Sequence, residues 1–198
     1  AKNVVNDILS LKRGIFMTKK TGLFLLFAWL CFAPFQVSAF IIDNNDEVWV
    51  EKVGDWQPST AVNEYHGSNY VHDQNVRDGS KSFSFLPSAV PDFVAGEYLI
   101  DLWWTDHTNR ASNVPVSIFD GLGTTYSLTV DQTTDGGQWN FLGRFKLWDG
   151  SRVTLGTEAN GFVIADAAQF TPVPEPGTFA LVGAGLAGIW FFTRRRSR

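Results

Sequence analysis

An all-β fold, an antiparallel β-sandwich or jelly roll of about eight or nine strands, is predicted by three observations on the central part of this 198-residue chain. Short apolar runs alternate with polar residues at a period of two, which puts one face of each run in a core. Clusters of Gly, Asn, Asp and Pro separate the runs, as turns between strands require. Between Phe40 and Thr171 there is neither a convincing amphipathic helix nor an internal repeat. Many short strands of this kind are the pattern of a sandwich or jelly roll.

In the stretch from Gly96 to Trp104, Tyr98, Ile100, Leu102 and Trp104 share one face. Trp103 then points the other way, so at least one of the adjacent tryptophans belongs to the core. From Gln138 to Leu147, Trp139, Phe141, Phe145 and Leu147 share parity against Asn140, Arg144 and Lys146, which assigns Trp139 to the core rather than to a surface platform. Tyr126, Leu128 and Val130 alternate with Thr125, Ser127 and Thr129. Further strands are expected near 47–53, 81–85, 114–119, 152–155 and 162–170, and Asp131 to Gly137 reads as a turn or loop. Six of the eight tryptophans (Trp49, Trp56, Trp103, Trp104, Trp139 and Trp148) lie in this part, which contains no cysteine. Its stability therefore rests on the core rather than on disulfides.

The two ends have a different character. Residues 1–16 form an upstream extension that fits no export logic, so Met17 is a candidate start. From Met17 a basic start leads into an apolar run (Gly22 to Phe35) and then Val37-Ser38-Ala39, the three parts of a signal peptide with cleavage between Ala39 and Phe40. The run is read as a signal helix over 17–39. Cys31 raises a lipoprotein alternative, but Leu30 before it is too large for a lipobox. At the other end, residues 172–198 contain an uncharged run from Gly177 to Thr193 closed by Arg194, Arg195 and Arg196, the pattern of a transmembrane helix with a basic stop. Gly183-x-Gly185-x-x-Gly188 within it has the spacing of a dinucleotide loop, yet the chain has no room after it for the second strand and the ribose-binding acid.

Val173-Pro174-Glu175-Pro176, the apolar run and the arginine cluster together resemble the PEP-CTERM sorting signal of Gram-negative bacteria. The resemblance implies export across the cytoplasmic (inner) membrane, transient anchoring there, processing by an exosortase-type membrane protease, and delivery to the cell surface or extracellular matrix. The alternative is a plain C-terminal anchor, with Pro174 and Pro176 breaking the chain ahead of the helix.

A second resemblance covers residues 40–171. The segments "IIDNND", "YHGSNY", "WWTDHTNRASNVPVSI", "TVDQTTDGGQWNFLGRF" and "GFVIADAAQF" are similar to the golvesin or xanthan-lyase C-terminal domain. That family implies a non-catalytic β-sandwich resembling carbohydrate-binding modules. Gln169 stands where the family more usually has a basic residue.

Chemistry and charge narrow the function. Residues 40–171 hold 18 acidic against 7 basic side chains, a net charge of −11, which disfavours nucleic acid and anionic lipid as partners. No nucleophile elbow occurs and no thiol is left after signal removal, so neither serine-elbow nor thiol chemistry is expected. His66, His72 and His107 form no metal-ligand motif, and the acidic "DNNDE" at Asp43 to Glu47 lacks the ordered spacing of a calcium loop. No cofactor or metal is expected. Sugar sites combine aromatic faces with hydroxyl-bonding polar groups. Two clusters have that mixture: Trp103, Asp106, Asn109, Arg110 and Asn113, and Tyr65, Asn69 and Tyr70. Asp166 shares strand parity with Phe162, Ile164, Ala168 and Phe170, and an acid on an inward face needs a partner. Arg110 is predicted to supply it in a structural ion pair. The expected function is binding to, or incorporation in, an extracellular polysaccharide matrix. A structural or adhesive surface protein without a sugar site is the alternative, and a fragment of a polysaccharide-active enzyme a third reading.

Overall fold

The computed structural model describes residues 38–174, together with 183–186 and 189. The predicted signal helix falls outside them. So does most of the predicted membrane helix at 177–193, of which 183–186 and 189 are helical. Among the described residues no helix is long and apolar enough to cross a membrane.

The strands run in order β1 (Phe40–Asp43), β2 (Val50–Val53), β3 (Gln57–Ser59), β4 (Tyr70–His72), β5 (Ser82–Phe85), β6 (Gly96–Trp103), β7 (Val114–Phe119), β8 (Thr125–Val130), β9 (Asn140–Leu147), β10 (Arg152–Gly156), β11 (Ile164–Ala165) and β12 (Ala167–Pro172). The only other regular element among residues 38–174 is a 3-10 turn at Pro87–Ala89. Every strand pairing is antiparallel. The sheets are four-stranded (β1-β12-β6-β9), five-stranded (β2-β5-β10-β7-β8) and three-stranded (β11-β4-β3).

The two larger sheets bury the residues that period-two alternation points inward. Tyr98, Ile100, Leu102 and Trp104 are each at most 4% exposed, and Phe83, Phe85, Val116, Ile118, Val153, Leu155 and Phe170 are equally sealed. Each such side chain contributes about 1.5–3 kcal/mol when fully buried. The polar ends of the core tryptophans are satisfied. Trp104 Nε1 donates to the Thr134 carbonyl at 2.9 Å, and Trp56 Nε1 to the carbonyls of Val53 and Ser82. β8 is an edge strand, which leaves Tyr126 40% exposed although its parity faces the core.

The predicted strand at 162–170 is two strands, β11 and β12, broken at Asp166. Phe141 departs further from expectation, for it is 63% exposed. Ile100 lies opposite Gly143, whereas Asp101 lies opposite Phe141, so Leu142 is an extra residue in β9. One inserted residue reverses the facing of everything before it. Phe145 and Leu147 keep the inward face; Phe141 and Trp139 turn outward. Gly143 has φ of 150°, and a Cβ there would come within 2.9 Å of the Phe145 ring, which explains why glycine occupies the bulge.

Candidate functional site

The outer face of the four-stranded sheet follows from its register. Ile41, Gln169, Asp101 and Phe141 are successive cross-strand neighbours on β1, β12, β6 and β9. The next row holds Asp43, Ala167 and Trp103, and the β9 bulge brings Trp139 alongside Trp103. Their ring centroids are 5.2 Å apart with planes at 73°, an edge-to-face pair. Trp103 Nε1 donates to the Glu64 carbonyl at 2.8 Å, which fixes the indole against the loop between β3 and β4.

That loop closes the end of the row. The His66 ring lies 5.8 Å from Trp103 and 5.4 Å from Trp139, and its Nδ1 is 2.9 Å from Asp43 Oδ2. Gly67 follows at φ of +65°, with Asp43 Oδ2 2.6 Å from where a Cβ would stand. Only glycine fits both the left-handed backbone and the close carboxylate. Beneath the loop Asp166 is 1% exposed, and its two carboxyl oxygens accept from the His66 backbone N–H at 3.2 Å. Burial pushes the Asp166 carboxyl up to about 8; the Asp43 charge adds to the rise and the His66 N–H opposes it. Burial also raises Asp101 above the usual carboxylate range. Partly exposed aromatic side chains, carboxylates and the Gln169 amide thus share one surface, a composition that can stack on apolar ring faces and bond hydroxyl groups.

The predicted site residues are scattered: Asn109 and Asn113 are exposed in the loop between β6 and β7, Arg110 and Tyr70 are interior, and few share this surface. Trp103 is on it. Arg110 is 7% exposed and donates to the Thr105 carbonyl (3.3 Å), Thr105 Oγ1 (3.2 Å) and the Tyr70 hydroxyl (3.1 Å), with its guanidinium 5.2 Å from the Tyr70 ring centroid. Tyr70 is itself buried, so this pair joins the two predicted clusters inside the protein. Asn109 Oδ1 accepts from Arg110, and Asn113 Oδ1 accepts from the Asn160 backbone N–H. Asp106 is half-buried beside Gly136, Tyr65 packs on the core, and the Asn69 and Asn44 side-chain amides are 2.8 Å apart.

The predicted Arg110–Asp166 ion pair does not form: no ion pair among the described residues joins them. A bridge between Arg110 and Phe162 sets the arginine beside Thr105 and Tyr70, while Asp166 meets the His66 amide. Asp166 is buried as its parity predicts, but it is held by backbone. His66 and His72 also part company. His72 packs edge-on against Phe162, and burial, then the Arg110 charge, lowers its pKa. Among the described residues no three His, Cys, Asp or Glu side chains are grouped to hold a metal.

Three surface residues, Asp43, His66 and Trp139, escaped the sequence reading of the site. Gly143 inside an alternating run was the available signal for Trp139, since an interior strand glycine marks a bulge. His66 has no such signal, because its neighbours are 37 and 73 residues away.

Comparison with known proteins agrees with this architecture. The chain is 35% identical over 144 residues to xanthan lyase of Bacillus sp. (strain GL1), a match covering 70% of the chain and 15% of that enzyme. It thus spans a small part of that curated relative. The structure of Paenibacillus xanthan lyase superposes with a TM-score of 0.64 at 38% identity, over 69% of this chain and 13% of the lyase. A Podospora anserina GH26-CBM35 β-(1,4)-mannanase shares the fold alone, with a TM-score of 0.54 at 16% identity over 71% of this chain and 29% of that one. The PEP-CTERM protein-sorting motif matches residues 172–196. With the golvesin C-terminal domain model matching residues 40–172, the chain belongs to the golvesin C-terminal domain family and ends in a PEP-CTERM sorting motif.

Proposed function

We propose that this chain is an exported, non-catalytic polysaccharide-binding module that contacts its glycan through Trp103, Trp139 and His66. The observation that carries the reading is the pair of partly exposed tryptophans side by side on the outer sheet face, with Asp43, Asp101 and Gln169 around them. Indole faces take the apolar side of a sugar ring while the polar neighbours bond its hydroxyls. The kinship to xanthan lyase supports a polysaccharide as the ligand class. Of the earlier candidates, Trp103 alone stays in the binding role; Arg110 and Tyr70 hold the interior together. The sorting motif supports passage through the inner membrane and exosortase action at Pro174-Glu175-Pro176 ahead of Arg194, Arg195 and Arg196, and the start of the golvesin match at Phe40 supports signal cleavage between Ala39 and Phe40. Delivery to the envelope or extracellular matrix of a Gram-negative cell completes the reading.

Native electrophoresis of the detergent-solubilised chain through gels containing xanthan, β-1,4-mannan or β-1,3-galactan tests it. The native protein is expected to be retarded by at least one polymer. Trp103→Ala and Trp139→Ala should each weaken that retention about tenfold, the equivalent of about 1.4 kcal/mol of lost aromatic contact. Retardation by none of the three, or retention unchanged in both variants, overturns the proposal.

A further inference from the structure

The other outer face of the sandwich carries a groove of about 320 Å³ to which all five strands of the larger sheet contribute side chains. Register places Glu51, Ser84, Thr154 and Ser117 in one line across β2, β5, β10 and β7, and Ser127 continues it on β8. At about 4.8 Å per strand the line is about 19 Å long, the footprint of an oligosaccharide run rather than of a single sugar. Beside it Arg152 lies opposite Phe119, with its guanidinium 5.4 Å from the Phe119 ring centroid and 4.0 Å from Glu51. Ser84 and Thr154 share a hydrogen bond of 2.8 Å; the Ser82, Ser117 and Thr125 hydroxyls also line the groove.

The chemistry of this lining selects its occupant. A protein-docking surface is built on a buried aromatic and apolar centre, and here hydroxyls fill the middle of the groove. A polyanion would meet a domain of net charge −11. Within the groove Arg152 and Glu51 balance each other, leaving a locally neutral trough of hydroxyls with one aromatic ring and one aliphatic side chain, Val53. That composition matches a chain that is itself neutral and rich in hydroxyls.

We propose that this groove is a second glycan site, which takes an uncharged polysaccharide chain laid across the five strands, so that one module grips two chains. The inference rests on the polysaccharide-binding reading above, with a different surface as its subject.

The test uses the detergent-solubilised full chain, with soluble uncharged β-1,4-mannan and β-1,3-galactan as probes and xanthan as a third arm. Thr154→Trp fills the groove from an outward position and Arg152→Ala removes its cation; urea midpoints establish that both remain folded. In a chain already carrying Trp103→Ala and Trp139→Ala, residual retention on mannan or galactan is expected, and Thr154→Trp or Arg152→Ala should cut it at least fivefold. The native protein, unlike Thr154→Trp, should also cross-link the retained long-chain polymer and raise its turbidity. Residual retention that neither groove variant changes, or loss of all retention in the double tryptophan variant, overturns the second site and leaves the aromatic surface standing. Retention on xanthan alone does the same. Loss through the groove variants with no effect of the tryptophan pair upholds the groove and overturns the aromatic surface. No retention of the native chain on any polymer overturns both.

Discussion

Replacing Asp166 with Asn should change how stability depends on pH, and the size of the change follows from the carboxyl's surroundings. An ordinary carboxyl of this type titrates at 3.8, whereas Asp166, buried beneath the His66 loop, titrates at about 8. Between these two values the folded chain holds a proton that the unfolded chain has released. Stability therefore falls as pH rises from about 4 to about 8 and levels off above it. Four units at about 1.4 kcal/mol each amount to a loss on the order of 5 kcal/mol across that window. Asn keeps the carbonyl oxygen that accepts from the His66 N–H and has no proton to lose. The Asp43–His66 pair is common to both proteins, so the difference between native and Asp166→Asn reads the Asp166 carboxyl together with its coupling to Asp43. Urea unfolding followed by tryptophan fluorescence at steps from about pH 4 to about pH 9 measures it. The native protein should lose its advantage progressively over the window and become the less stable of the two above about pH 8. Parallel stability profiles for the two proteins would refute the argument that burial governs this carboxyl.

Two further outcomes test the interior of the site. Arg110→Met should cost about 2–4 kcal/mol in urea unfolding, because it strips the Tyr70 hydroxyl and the Thr105 carbonyl of a buried charged donor, while polysaccharide retention per folded molecule stays unchanged. Gly67→Ala should cost about 1–3 kcal/mol, since the left-handed backbone and the nearby Asp43 oxygen both oppose a Cβ. Its near-ultraviolet circular dichroism should also change as His66 shifts against the two indoles.

Local periodicity made the core of the long strands legible. The parity of Tyr98, Ile100, Leu102 and Trp104 is the parity of burial, whereas around Asp166, where the strand breaks, residues of both parities from Val163 to Ala168 are buried. Strands β3 and β4, of three residues each, carry too few residues for an alternation to register, and both belong to the small third sheet. Trp139 was misassigned because a two-residue period is silent about an inserted residue, and Leu142 is that residue. The sequence places Arg110 both in a sugar-binding cluster and in an ion pair: charge complementarity points to Asp166, whereas backbone bridging to Phe162 sets the side chain against Tyr70. The aromatic surface joins residues 66, 103 and 139, a juxtaposition made by strand register and loop closure that no local spacing announces.

The pairing of β12 with β6 has a mechanical consequence. The C-terminal tail leaves the sheet at Pro172, while the row containing Trp103 lies at the other end of β12, beside Ala167. A pull on the tail against a load seated at Trp103 therefore runs along the strands. Bonds between antiparallel strands lie across that direction, so tension strains the whole ladder of β12 to β6 together instead of opening it one rung at a time. The sheet meets traction in shear, the loading that a tethered grip on a polymer would impose.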